Sequence, residues 1–194
     1  MAEHASLLNN LLLVDADFAD QVAFGFTVNF ERMLERRVER ADLADWLECL
    51  ALDGGLRPAE QQVQCVFIHP KPMEAFKCFA PARFADELDG KAFAGRLGEF
   101  LLQSVAVEPM VEKGELFCQC LHAACHDKGV ERLMVVADMD AYGDRVKQIV
   151  ADADHKDVTL FALQPLTGRG FAQELLSYSL VHALGVSADE LPGQ

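Results

Sequence analysis

The residues with most chemical promise are two pairs of aspartates, each set at the end of an apolar run. Leu11-Leu12-Leu13-Val14 leads into Asp15-Ala16-Asp17, and Leu133-Met134-Val135-Val136-Ala137 leads into Asp138-Met139-Asp140. Continuous apolar runs of this length predict strands buried on both faces. In open parallel sheets, ligands bind beyond the carboxyl ends of the strands. Neighbouring strands would bring Asp15 and Asp138 close together, and like charges so close are costly without a cation. Oxygen-only donors suit Mg²⁺ or Mn²⁺. A hydrated ion there would activate water and neutralise a phosphodiester in its transition state. Asp17 and Asp140, two residues further on, are either further ligands or caps of the helices that follow. The metal donors expected from this pattern are Asp15 and Asp138, with Asp140 a third donor if it is not a cap.

Other candidates lie between and beyond these pairs. Glu115 opens a predicted helix, where the dipole favours a carboxylate. Lys113 would meet a phosphate, or pair with Glu112 or Glu115. In Thr167-Gly168-Arg169-Gly170 a plain turn is the simpler reading; in the other, the glycines free backbone N–H groups for an anion and Arg169 adds a charge. Cys118, His122 and Cys125 share one helix face at i, i+4 and i+7. Zinc is one reading of that face and buried apolar thiols are the other. Arg32, Arg36 and Arg40 form a stripe beside Glu31, Glu35 and Glu39, which reads as a phosphate rail or as a solvated face with internal ion pairs. The chain has no Gly-x-Ser-x-Gly, no Walker loop and no Gly-x-Gly-x-x-Gly, which removes the signals for a serine hydrolase, a P-loop NTPase and a dinucleotide-binding domain.

The elements that must position these groups alternate. Strands are expected at Leu11 to Val14, Val63 to Ile68, Phe100 to Val107, Leu133 to Ala137 and Val158 to Leu163. Helices are expected from about Glu31, across Leu43 to Leu50, from Glu115 to His126 and from Tyr142 to Ala151, with Phe171 to Leu176 helical and Tyr178 to Leu184 of undecided type. In the first helix Phe30, Met33, Leu34 and Val38 would make one apolar face. The Phe-rich stretch Phe18 to Phe30 is expected as a short helix or loop. Residues 70–98, with Pro70, Pro72 and Pro81, read as an irregular insertion with a short helix near Phe84 to Leu88. Strands alternating with helices imply an α/β fold with a mainly parallel sheet covered on both faces. One domain over 1–194 is the simplest account.

Bulk composition limits the partners. Net charge is −14, which argues against broad electrostatic binding to nucleic acid and leaves only a local site for it. No apolar run approaches the roughly 20 residues of a membrane span, and Met1-Ala2-Glu3-His4 lacks the basic start of a signal peptide. The expected location is the cytoplasm, with no membrane partner. A homo-oligomer stays open. The six cysteines read as reduced thiols and not as a disulfide frame.

The order of elements and acids resembles the PIN-like nuclease superfamily, its NYN branch in particular. Asp15-Ala16-Asp17-Phe18 is similar to the Asp-Gly-x-Asn that ends the first strand there. Lys113-Gly114-Glu115 resembles a Lys-x-x-Asp-like element at a helix start. Val136-Ala137-Asp138-Met139-Asp140-Ala141 is similar to Ser-Gly-Asp-x-Asp-Phe. Where that pattern has Ser-Gly, Asn and the final Phe, this chain has Val136-Ala137, Phe18 and Ala141. The resemblance covers most of the chain except residues 70–98. It implies a three-layer α/β/α fold with strand order 3-2-1-4-5. It also implies a Mg²⁺- or Mn²⁺-dependent ribonuclease-like hydrolase, with Asp15, Glu115, Asp138 and Asp140 as catalytic carboxylates, Lys113 and Arg169 toward the substrate, and RNA as partner. Two alternatives accompany it. One is a catalytically inactive PIN-like binding or assembly module. The other is a haloacid-dehalogenase-like phosphatase with Asp15 as nucleophile, whose first motif Asp15-Ala16-Asp17 also resembles.

Overall fold

A computed structural model describes residues 7–153 and 155–191. Its elements in order are β1 (Asn10–Asp15), α1 (Ala16–Leu34), β2 (Ala41–Asp42), α2 (Leu43–Asp53), β3 (Gln61–Pro70) and β4 (Phe79–Ala80). A π-helical turn (Phe84–Leu88) follows, then β5 (Lys91–Ala94), β6 (Gly98–Val107), α3 (Lys113–His126), β7 (Arg132–Val136) and α4 (Met139–Ala151). The chain closes with β8 (Asp157–Ala162), β9 (Ala172–Leu175), α5 (Leu176–Ala183) and a 3₁₀ turn (Ala188–Glu190).

The apolar run of β1 is buried along its whole length, because it lies in the middle of the sheet. The seven-stranded order is β5-β6-β3-β1-β7-β8-β9. Every pairing is parallel except that of β5 with β6. Numbered among themselves in chain order, the five longest of these strands (β6, β3, β1, β7, β8) run 3-2-1-4-5. Alternate side chains of β1 enter opposite layers. Leu12 and Val14 pack toward α1, α2 and α5, while Leu11 and Leu13 pack toward α3 and α4. The fold is therefore α/β with three layers. The fully buried Trp46, Phe67 and Phe79 anchor the first layer, and Trp46 Nε1 donates to Ser179 Oγ at 3.1 Å. Phe117 and Val146 anchor the second.

Of the two readings left open for the Phe-rich stretch the helix holds, but it is long: α1 runs unbroken from Ala16, since Asp15 caps it and Ala16, Ala19, Ala23 and Phe30 are buried. Two other expectations are corrected. The helix expected from about Glu31 is only the end of α1. Glu35 turns left-handed (φ 51°) and stops it, so Arg32, Arg36 and Arg40 do not share a helical stripe, and Arg36 pairs with Glu190 at 2.6 Å. The helix expected at Phe171 to Leu176 is β9, a short strand on the far edge beside β8, and α5 begins only at Leu176.

The insertion at 70–98 is ordered. The buried Asp20 on α1 accepts the backbone N–H groups of Lys77 and Cys78 at 2.9–3.1 Å. Phe76 and Phe79 join the core cluster, and the expected short helix is the π-helical turn at Phe84–Leu88. β5 then pairs antiparallel at the sheet edge. None of the helices among the described residues is long and apolar enough to cross a membrane.

Candidate functional site

β1 and β7 are adjacent and parallel, with Val14 opposite Val136. Asp15 is thus the last residue of β1, and Asp138 lies two residues past the end of β7, at the same sheet edge. Both strands turn straight into helices. Asp15 caps α1 by accepting the N–H of Phe18 at 3.3 Å, and Asp138 caps α4 by accepting that of Ala141 at 3.0 Å. The capping role that sequence offered to Asp17 and Asp140 therefore falls to the first aspartate of each pair, because the helices begin one residue after it.

Asp15 is fully buried, and its oxygens are all engaged. Lys113, the first residue of α3, reaches back across the edge. Its Nζ lies 2.8 Å from Asp15 Oδ1 and 2.6 Å from Asp17 Oδ1. The hydroxyl of Tyr142 donates to Asp15 Oδ2. Burial, reinforced by the neighbouring Asp17 carboxyl, pushes the Asp15 carboxyl up to about 6 against the pull of Lys113 and Tyr142. Burial works against the Lys113 charge, but Asp15 and Asp17 outweigh it and hold the ammonium above its ordinary value. Burial and the nearby Asp15 push the Tyr142 hydroxyl strongly upward, so it stays a donor.

Tyr142 is brought there by a local break. Its φ and ψ (−142°, 21°) leave the helical region inside α4. Its ring leans on Phe117, with centroids 5.5 Å apart, and on the backbone of Gly114. A Cβ at Gly114 would stand 2.8 Å from Tyr142 Cδ1, so only glycine lets the ring lie this close. Sequence reasoning passed over Tyr142. A signal existed, since it follows Asp138 by about one helical turn and so returns toward the strand ends.

The remaining candidates make no contact with the Asp15, Asp17 and Lys113 side chains among the described residues. Glu115 and Asp140 are exposed and Asp138 is half-buried; the Glu115 carboxylate accepts from Gln119 Nε2 at 3.5 Å. The position after Glu115, where the Lys-x-x-Asp-like element would have its acid, holds Leu116, packed against the α3/α4 core. Among the described residues, no group of three or more His, Cys, Asp and Glu side chains is placed to hold a metal ion. Arg169 is exposed at the opposite edge of the sheet. Its neighbour Gly170 abuts the carbonyl of Val150 and lines a hollow with Arg132 and Asp157, which precede or open β7 and β8. The parallel pairing of β9 with β8 demands this, because the loop must return to the starting edge.

Cys118 and Cys125 point into the core and His122 is exposed, so the three do not share a coordinating face. Burial pushes the Cys125 thiol up to about 11 and raises Cys118 as well. These are inert structural thiols. Beside Asp140 a cleft of about 180 Å³ opens between Phe18, Met139 and Leu163 to Leu166.

No curated protein and no solved structure matched this chain when compared with it. A family model matches residues 4–191, nearly the whole chain, and the protein therefore belongs to DUF6621, a family of unknown function.

Proposed function

We propose that this chain is a PIN-like domain whose acidic centre is closed from within, and that it serves as a binding or assembly module and not as a nuclease. The observation that carries this reading is the position of Lys113. Its ammonium group bridges Asp15 and Asp17 at 2.8 and 2.6 Å, where a divalent ion would otherwise balance the two carboxylates. The donor set does not fit such an ion as it stands. Mg²⁺ asks for near-octahedral oxygen donors at about 2.0–2.1 Å, and the Asp15 oxygens are held by Lys113, Tyr142 and the N–H of Phe18. An Asp15 nucleophile of the haloacid-dehalogenase kind has the least support, since a fully buried carboxylate has no open line to a phosphorus atom. The net charge of −14 also points away from nucleic acid as the main partner.

A Mg²⁺- or Mn²⁺-dependent phosphodiester hydrolase is the second reading. It is favoured by one observation: adjacent strands deliver Asp15 and Asp138 to one edge, near a cleft lined by Asp140.

The test is to incubate the purified chain with structured and single-stranded RNA and Mn²⁺, beside an Asp138→Asn variant. The module reading expects no cleavage by either. Metal-dependent cleavage by the parent chain, lost in the variant, would overturn it and establish the hydrolase.

A further inference from the structure

A third cavity, unrelated to the acidic centre, opens at the carboxyl end of β3 and β6 under the ordered insertion. Its volume is about 350 Å³, within the range of small-molecule sites. His69 lines it although the residue is only 5% exposed. The ring is fixed twice. It stacks on Phe84 with centroids 3.9 Å apart and planes 6° from parallel, and its Nδ1 lies 3.0 Å from the carbonyl oxygen of Pro70. A carbonyl can only accept, so Nδ1 carries the proton and donates. In the neutral ring Nε2 is then a lone-pair acceptor. It has no hydrogen-bond partner among the described residues, yet no fully enclosed side-chain nitrogen or oxygen among them lacks one. Nε2 therefore opens to the cavity.

The walls carry both signs of charge. Lys71 and Arg83 line one part, and among the described residues the side chain of each is held by an exposed ion pair, Lys71 with Glu108 at 2.8 Å and Arg83 with Asp86 at 2.7 Å. Such pairs are worth little and exchange readily for a ligand carboxylate. Asp89 lines another part and already accepts the N–H of Ser104 at 2.8 Å, while the Ser104 hydroxyl has no partner among the described residues. A ligand matched to this set offers an N–H donor to His69 Nε2 and a carboxylate to Arg83 or Lys71, and has an apolar stem against Met73 and Ala106.

We infer that the cavity lined by His69, Arg83, Phe84 and Ser104 is a binding site for a small zwitterion of the free amino-acid class. The ammonium donates to His69 Nε2 in the field of Asp89, and the carboxylate takes the Arg83 guanidinium from Asp86. The reading stands apart from the role of the acidic centre, because no residue is shared between the two.

The experiment is saturation-transfer NMR on the full chain with an equimolar mixture of L-amino acids. Acetate and methylammonium serve as single-charge controls, and His69→Gln and Arg83→Gln as variants. The expected result is transfer to one or a few amino acids, none to either control, and binding about tenfold weaker in each variant, the size of one lost charged hydrogen bond. Arg83 makes only a surface pair, so its variant keeps the fold even where His69→Gln does not. Absence of transfer, acetate or methylammonium performing as well as the zwitterions, or Arg83→Gln binding like the parent chain would each overturn the assignment.

Discussion

Lys113 and Asp15 form a largely buried ion pair, 2.8 Å from Nζ to Oδ1, between the first residue of α3 and the last residue of β1. It joins the sheet to the opposite helical layer at the edge where ligands of parallel sheets bind. A buried pair is stable only when its remaining hydrogen-bonding capacity is met. Here Tyr142, Asp17 and the Phe18 N–H meet it. In the proposed reading the pair stands in for a bound cation, and the consequences can be measured.

The first concerns pH. The Asp15 carboxyl is raised to about 6 from an ordinary 3.8, so between these values the native state holds a proton that the unfolded chain has released. Its contribution to stability is fully present below the lower value and is lost as pH rises through about 6. Urea melts between pH 4 and 7 should show this negative slope in the difference between the parent chain and Asp15→Asn. Equal slopes in the two proteins would place the Asp15 carboxyl in the ordinary carboxylate range.

The second concerns Tyr142. Tyr142→Phe keeps the ring against Phe117 and Gly114 but removes the donor to a buried carboxylate. The expected cost is about 1–3 kcal/mol in denaturant unfolding. The Asp15 carboxyl should also titrate higher in the variant, as read by carbon NMR of the side chain. An unchanged titration would mean that the hydroxyl does not hold Asp15 in solution.

The third concerns the insertion. Asp20→Ala leaves the N–H groups of Lys77 and Cys78 without their carboxylate. We expect a loss of roughly 2–3 kcal/mol, from orphaned buried donors. Hydrogen exchange should quicken across residues 71–97 and not in β1 or β7. Uniform exchange over the whole chain would show instead that the insertion and the sheet open as one unit.

These residues also show what sequence could supply. The strands were legible because a central strand must be apolar on both faces: β1 and β7 carry unbroken apolar runs, and the expected Val63 to Ile68 and Phe100 to Val107 lie inside the observed β3 and β6. The shared edge of Asp15 and Asp138 followed from that. The role of Lys113 did not, because it depends on how far α3 leans over β1, a packing distance with no periodic trace. Tyr142 was traceable only through its spacing from Asp138, because the break in α4 that turns it inward carries no proline. Arg169 was expected toward a substrate, but its place in the fold was not legible, because β9 reads as helix in isolation. Only its pairing with β8 sends the loop to the other edge.

The central claim is that Lys113 occupies the cation position of the acidic centre. Thermal unfolding in millimolar Mn²⁺ tests it most directly, since an ion that binds the native state raises its stability with concentration. The account predicts no shift for the parent chain. It predicts a less stable Lys113→Met variant, which Mn²⁺ partly restores through the vacated carboxylates. A parent chain that melts higher as Mn²⁺ is added, with the gain lost in Asp138→Asn, would contradict it.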